Sequence, residues 1–147
     1  MCYPKGYKMT NDANACKSIL MVDDDETHLS VTKASLKNEY EVFTVKSGKE
    51  ALEFLSAGKT IPDLILLDIL MPEMDGWAVF DKINDIAALK FTPIMFFSSL
   101  DEESAREKAY ELGAFDYITK PCKPSVLLSR IKDTLEKADM KRLQYGI

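Results

Sequence analysis

The chain has 147 residues, 46% of them hydrophobic and 29% charged, a mixture that suits one ordinary folded domain and excludes a disordered polar chain. Its 24 acidic residues outnumber 19 basic ones for a net charge of -5, which disfavours direct binding to a nucleic-acid backbone, and no apolar run approaches the roughly 20 residues that span a bilayer. Cys2, Cys16 and Cys122 are widely and irregularly spaced, which argues against a disulfide framework or zinc site, and the N-terminus lacks the apolar core of a signal peptide, so the expected location is cytoplasmic.

Residues 1–16 carry Tyr3, Pro4, Gly6 and Tyr7 without periodicity and are expected to be an extension outside the core. SILMV at 18–22 reads as a short buried strand that runs into Asp23, Asp24 and Asp25. Leu29, Thr32 and Leu36 then share a helical face over 26–38, with Asp25 and Glu26 as caps at its start and His28 read as a solvated or capping residue. EVFTV at 41–45 is a half-polar strand, and the next helix opens at Gly48, carries Ala51, Leu52 and Leu55 on one face and closes at Gly58.

After Pro62, the stretch DLILLDILMPEMDG at 63–76 dominates the chain. Leu64 to Leu67 are four consecutive apolar residues, too few for a helix and typical of a strand buried on both faces of a parallel sheet. That strand ends on Asp68. A loop with Pro72 follows, then Asp75 as N-cap of a helix over Gly76 to Asn84, with Val79, Phe80 and Ile83 inward. IMFF at 94–97 is a fourth buried strand ending on Ser98, and a charged helix over 102–112 offers only Ala105, Ala109 and Leu112 to the core before Gly113. DYIT at 116–119 is a fifth strand ending on Lys120 and Pro121. The last helix takes Pro124 in its first turn, carries Leu127, Leu128, Ile131, Leu135 and Ala138, and gives way to an expected tail over 139–147.

Five strands alternating with five helices make an α/β fold of parallel strands joined by right-handed crossovers, with helices on both faces and one domain over 17–138. Parallel strands share their C-terminal edge, where ligands of open α/β sheets sit, so Asp23, Asp24, Asp68, Ser98 and Lys120 should converge there. Carboxylates so placed repel by about 4 kcal/mol per pair at ~4 Å and an effective dielectric near 20. A cation among them is expected, and Mg²⁺ suits an all-oxygen donor set. A lysine and a hydroxyl beside it are the parts that recur where a phosphoryl group is held or transferred.

The acidic pair after the first strand, DLILLDILMPEMDG, the hydroxyl after IMFF and the run GAFDYITKP together resemble the receiver domain of two-component response regulators over roughly residues 17–138. The resemblance implies a flavodoxin-like doubly wound five-stranded parallel sheet in the order 2-1-3-4-5, acting as a stand-alone receiver in a phosphorelay. It implies that Asp68 accepts a phosphoryl group from a histidine on a sensor kinase or phosphotransfer protein. Asp23 and Asp24 would hold Mg²⁺ with Asp68 and the backbone carbonyl of Leu70. Lys120 would contact the phosphoryl oxygens, its bond to Pro121 being cis. Ser98 and Tyr117 would form the switch, repacking the face of the fourth helix, fifth strand and fifth helix, where a downstream protein target would dock. No membrane or direct nucleic-acid partner is implied, and no catalysis beyond the domain's own phosphoryl transfer and dephosphorylation.

Leu70 and Leu100 stand two residues after Asp68 and Ser98, where receivers often carry groups that orient water, so a shielded, long-lived acyl phosphate is expected. Cys122 is read as a small buried hydrophobe, the alternative being a redox-sensitive thiol beside the site. Two other functions compete. Residues 23–27 also match the DxDx(T/V) nucleophile motif of haloacid-dehalogenase-type phosphatases, but that family needs a further acidic pair at a strand end, and the only aspartates that follow Lys120 are Asp133 and Asp139, both in the last helix. A receiver-like binding module that switches without phosphate would not require all five site residues.

Overall fold

The computed structural model describes residues 16–145. The strands β1 (Ser18–Val22), β2 (Glu41–Val45), β3 (Leu64–Leu67), β4 (Ile94–Ser98) and β5 (Asp116–Thr119) alternate with the helices α1 (Glu26–Leu36), α2 (Gly48–Ser56), α3 (Gly76–Asn84), α4 (Glu103–Leu112) and α5 (Pro124–Gln144). All four strand pairings are parallel, as the alternation requires, and the order is β2-β1-β3-β4-β5, the doubly wound arrangement that the receiver resemblance implies. β1, β3 and β4 are buried at every position, because helices cover both faces of the central strands. Leu20, Val22, Ile65, Leu67 and Phe96 face α2, α3 and α4, while Ile19, Met21, Leu64, Leu66, Met95 and Phe97 face α1 and α5.

Caps place the helices as their sequences require. The Asp25 carboxylate accepts the His28 amide at 3.1 Å and opens α1, and Asp75 accepts the Ala78 amide at 2.9 Å and opens α3. Gly76 is needed for packing: a Cβ there would lie 2.3 Å from the backbone oxygen of Asp68 and 2.7 Å from the Ile69 Cα. Only glycine lets the start of α3 press against the end of β3, which locks the backbone that carries Asp68. Gly113 ends α4 at φ 103°, in the left-handed region.

Some expectations fail. α5 runs to Gln144, so residues 139–144 are helix and not tail. Lys17 holds Asp139 at 2.5 Å, and the Phe91 and Tyr145 rings meet at 5.7 Å; these tertiary contacts extend the helix past its last buried residue, Ala138. Leu112 is 47% exposed, because α4 turns only its alanines inward. A short 3₁₀ turn at Ala87–Leu89, which no periodicity signals, precedes β4. Cys122 is a free thiol, half-buried, and Cys2 lies outside the described residues. The expected N-terminal extension over 1–16 lies outside the described residues except for Cys16. Among the described residues no helix is long and apolar enough to cross a membrane.

Candidate functional site

The C-terminal edge of the sheet brings the expected residues together. Asp23 follows β1, Asp68 follows β3, Ser98 ends β4 and Lys120 follows β5. Asp23 and Asp68 are 4% and 6% exposed and Ser98 is fully buried, whereas Asp24 is open to solvent. Asp23, Asp24 and Asp68 each offer a carboxylate oxygen, all within 4.8 Å of one another.

The groups around these acids differ. Lys120 Nζ lies 2.6 Å from Asp23 Oδ2 and 3.4 Å from Asp68 Oδ2, so the one ammonium is shared but drawn to Asp23. The Asp25 amide donates to Asp23 Oδ1 at 2.9 Å, and His28 Nδ1 lies 2.7 Å from Asp23 Oδ2. Besides the shared Lys120, Asp68 receives a long bond from the Leu70 amide at 3.4 Å, and the Ser98 hydroxyl is close enough to lower its carboxyl value. Burial alone would raise the Asp23 carboxyl, but the hydrogen bonds from Lys120 and the Asp25 amide reverse that and hold it below the ordinary carboxylate value. Burial pushes Asp68 above that value, and the charge of Asp23 adds to the rise, which Ser98 and Lys120 only partly offset.

The donor set fits Mg²⁺. Three carboxylates supply oxygen only, and their closeness leaves a charge excess that one lysine does not neutralise. Asp24, exposed and with its oxygens toward the cluster, is the member free to reach a hydrated ion.

The Lys120-Pro121 bond is cis, as expected. Tyr117 is buried, with its ring 6.1 Å from that of Phe96, and its hydroxyl donates to the Leu100 carbonyl at 2.5 Å. Arg106 lies over the Tyr117 ring and reaches Thr119 Oγ1 at 2.8 Å and the Asp101 carboxylate. Trp77 packs on Phe96 at 4.9 Å with the Lys108 ammonium 4.3 Å from its ring centre, so it bridges α3 and α4 at the rim. Leu70 is 51% exposed, while Leu100 packs on the core. Among the described residues, the aspartates after Lys120, Asp133 and Asp139, both lie along α5 and not at a strand end as a haloacid-dehalogenase-type phosphatase needs, with Asp139 held by Lys17.

His28 was missed by sequence reasoning. Read as solvated or capping, it is half-buried, and its ring touches both the Asp23 carboxylate and Phe97 at 5.1 Å. The available signal was its spacing: five residues after Asp23, across the first turn of α1, a side chain points back to the strand end.

Residues 19–132 match the family model described as the response regulator receiver domain. Response regulator PleD of Caulobacter vibrioides is 38% identical over 115 residues, which covers 78% of this chain and 25% of that protein. The alkaline phosphatase synthesis transcriptional regulatory protein PhoP of Bacillus subtilis is 37% identical over 125 residues, 84% of this chain and 50% of that one. The chain thus spans between a quarter and half the length of these two relatives. A CheY-like response regulator receiver domain protein from Methanospirillum hungatei JF-1 superposes with a TM-score of 0.78 at 29% identity, over 86% of this chain and 99% of that one. The signal receiver domain of a histidine kinase from Syntrophus aciditrophicus gives a TM-score of 0.73 at 38% identity, over 83% of this chain and 92% of that one.

Proposed function

The chain belongs to the response regulator receiver family, and from that premise we propose that it is a phosphorylation-dependent signalling switch whose acceptor is Asp68. The observation that carries this reading is the convergence of the Asp23, Asp24 and Asp68 oxygens within 4.8 Å, with the Lys120 ammonium between Asp23 and Asp68. Of the two buried acids, Asp68 is less well satisfied by protein donors than Asp23, which leaves its oxygens available to attack phosphorus.

The phosphoryl donor in this reading is a phosphohistidine on a sensor kinase or phosphotransfer protein. One oxygen of Asp68 forms the bond to phosphorus as the histidine nitrogen leaves. Asp23, Asp24, Asp68 and the Leu70 carbonyl are the ligands assigned to Mg²⁺, which when bound would neutralise charge on the phosphoryl oxygens. Lys120 moves from Asp23 toward the new anion, a shift its shared position makes short. Ser98 turns its hydroxyl to a phosphoryl oxygen, and the buried Tyr117 ring behind it reports that change to the face of α4, β5 and α5. Tyr110 and Arg130, from α4 and α5, meet at Asp116 on that face, where we place the protein target. The domain turns over only its own phosphoryl group.

Incubation with Mg²⁺ and a small acyl phosphate, followed by intact mass, tests the reading. One phosphoryl group is expected on the parent and none on Asp68→Asn. A parent that stays unmodified under every donor would favour a module that switches without phosphate, and repeated hydrolysis of an aryl phosphate would favour a phosphatase.

A further inference from the structure

A carboxylate oxygen has two lone pairs, and at Asp23 their use can be counted. Oδ2 meets Lys120 Nζ at 2.6 Å and His28 Nδ1 at 2.7 Å, so both of its lone pairs are taken. Oδ1 accepts the Asp25 amide at 2.9 Å and keeps one lone pair. The carboxylate is an acceptor, so the hydrogen on this His28 contact belongs to Nδ1.

The ring that donates it is held in place. The His28 amide is bound by the Asp25 cap at 3.1 Å, and the imidazole tilts against Phe97 at 5.1 Å in a groove lined by Val31, Thr32, Pro121 and Leu127. A side chain so packed has little rotamer freedom left to lose, so its hydrogen bond orients Asp23 at small entropic cost.

Lys120 cannot orient Asp23 in the same way. Its stem is flexible and its ammonium is shared with Asp68 at 3.4 Å, so it is the donor that leaves when a phosphoryl group arrives. Once Lys120 swings away, His28 and the Asp25 amide are the donors that still fix the carboxylate, one on each oxygen.

We propose that His28 is a positioning residue for divalent-cation binding: its Nδ1–H pins Asp23 Oδ2 so that the free lone pair of Oδ1 faces the ion or an ion-bound water. This rests on the reading of Asp23, Asp24 and Asp68 as the cation site. His28 touches neither ion nor phosphoryl group and acts through Asp23. Outer hydrogen-bond partners of this kind are worth about 10–100-fold in metal affinity.

The test is Mg²⁺ binding to the unphosphorylated protein by calorimetry, without a phosphoryl donor. His28→Leu removes the donor, and His28→Gln, which carries its amide past the Nδ1 position, is a second disrupting variant should the first fail to fold. His28→Asn places an amide N–H near Nδ1. The disrupting variants are expected to bind Mg²⁺ about tenfold more weakly, with affinity restored in His28→Asn. In metal-free protein, the carbon-13 resonance of the Asp23 carboxyl should move in the disrupting variants and return in His28→Asn. Equal affinity in parent and disrupting variants would overturn the inference while leaving the cation site standing, and so would His28→Asn as weak as His28→Leu. A parent that binds no Mg²⁺ would defeat the cation reading itself.

Discussion

Two aspartates lie at opposite edges of the same sheet, and they are treated in opposite ways. Asp116 opens β5 and Asp68 follows β3; they are 9% and 6% exposed, so burial alone would raise both. Asp116 is surrounded by donors: Arg130 Nε at 2.6 Å and its Nη2, the Tyr110 hydroxyl at 3.1 Å and the Tyr117 amide at 2.8 Å. Burial is outweighed there, first by Arg130, and the carboxyl falls below its ordinary value. Asp68 faces another carboxylate, shares one lysine and sits above its ordinary value. A buried acid with its lone pairs filled is a structural clasp. One left short of partners keeps them for an incoming group, which is the sense in which Asp68 is poised for chemistry.

Changes that disturb these surroundings should separate the two acids. The largest expected effect on stability comes from Gly76→Ala, which forces a methyl into the backbone of Asp68 and Ile69; a loss of about 2–3 kcal/mol in urea unfolding is expected. Asp116→Asn comes next. The Arg130 side chain is 41% exposed and partly screened, so the expected loss at neutral pH is about 1 kcal/mol. Because the folded-state value of Asp116 is lowered, the stabilisation is complete above the unfolded carboxyl value and is lost as the pH falls through the folded one. Parent and variant should therefore converge in acid, and a gap that persists at low pH would deny the clasp.

Asp68→Asn should act in the reverse direction. Removing one of two facing charges is expected to raise stability in chelator by on the order of 1 kcal/mol, and Mg²⁺ should then stabilise the parent more than the variant. A variant less stable than the parent in chelator would erase the contrast with Asp116. The smallest effect concerns water. Leu70, half-exposed beside Asp68, offers no group to orient a nucleophile, so Leu70→Asn should shorten the acyl-phosphate lifetime about threefold, well under the 1.4 kcal/mol of a tenfold change. An unchanged decay rate would show that the leucine does not shield the site.

The sheet was legible because each strand is a short apolar run between turn residues, and because alternation with helices forces parallel pairing and a shared edge. Asp23, Asp68, Ser98 and Lys120 could be brought together from that edge alone, before any distance was known. Contacts made by long side chains across elements were not legible. Asp116 and Arg130 are 14 residues apart and follow no common period, so the clasp on Asp116 has no local signature. His28 looked like one more polar residue in the first turn of a helix, since its bond depends on where β1 ends relative to α1. The end of α5 was misread for a related reason: beyond Ala138 it is held by Lys17 and Phe91, residues distant in the chain.

The most direct test is to locate the phosphoryl group. The protein is phosphorylated with a small acyl phosphate and Mg²⁺, the aspartyl phosphate is reduced with borohydride, and the modified residue is mapped by peptide mass spectrometry. Reduction confined to Asp68, with Asp116 untouched, is the predicted result. Label on Asp23, Asp24 or Asp116, or no label in a folded protein, would contradict the assignment of Asp68 as the acid kept free for phosphorus.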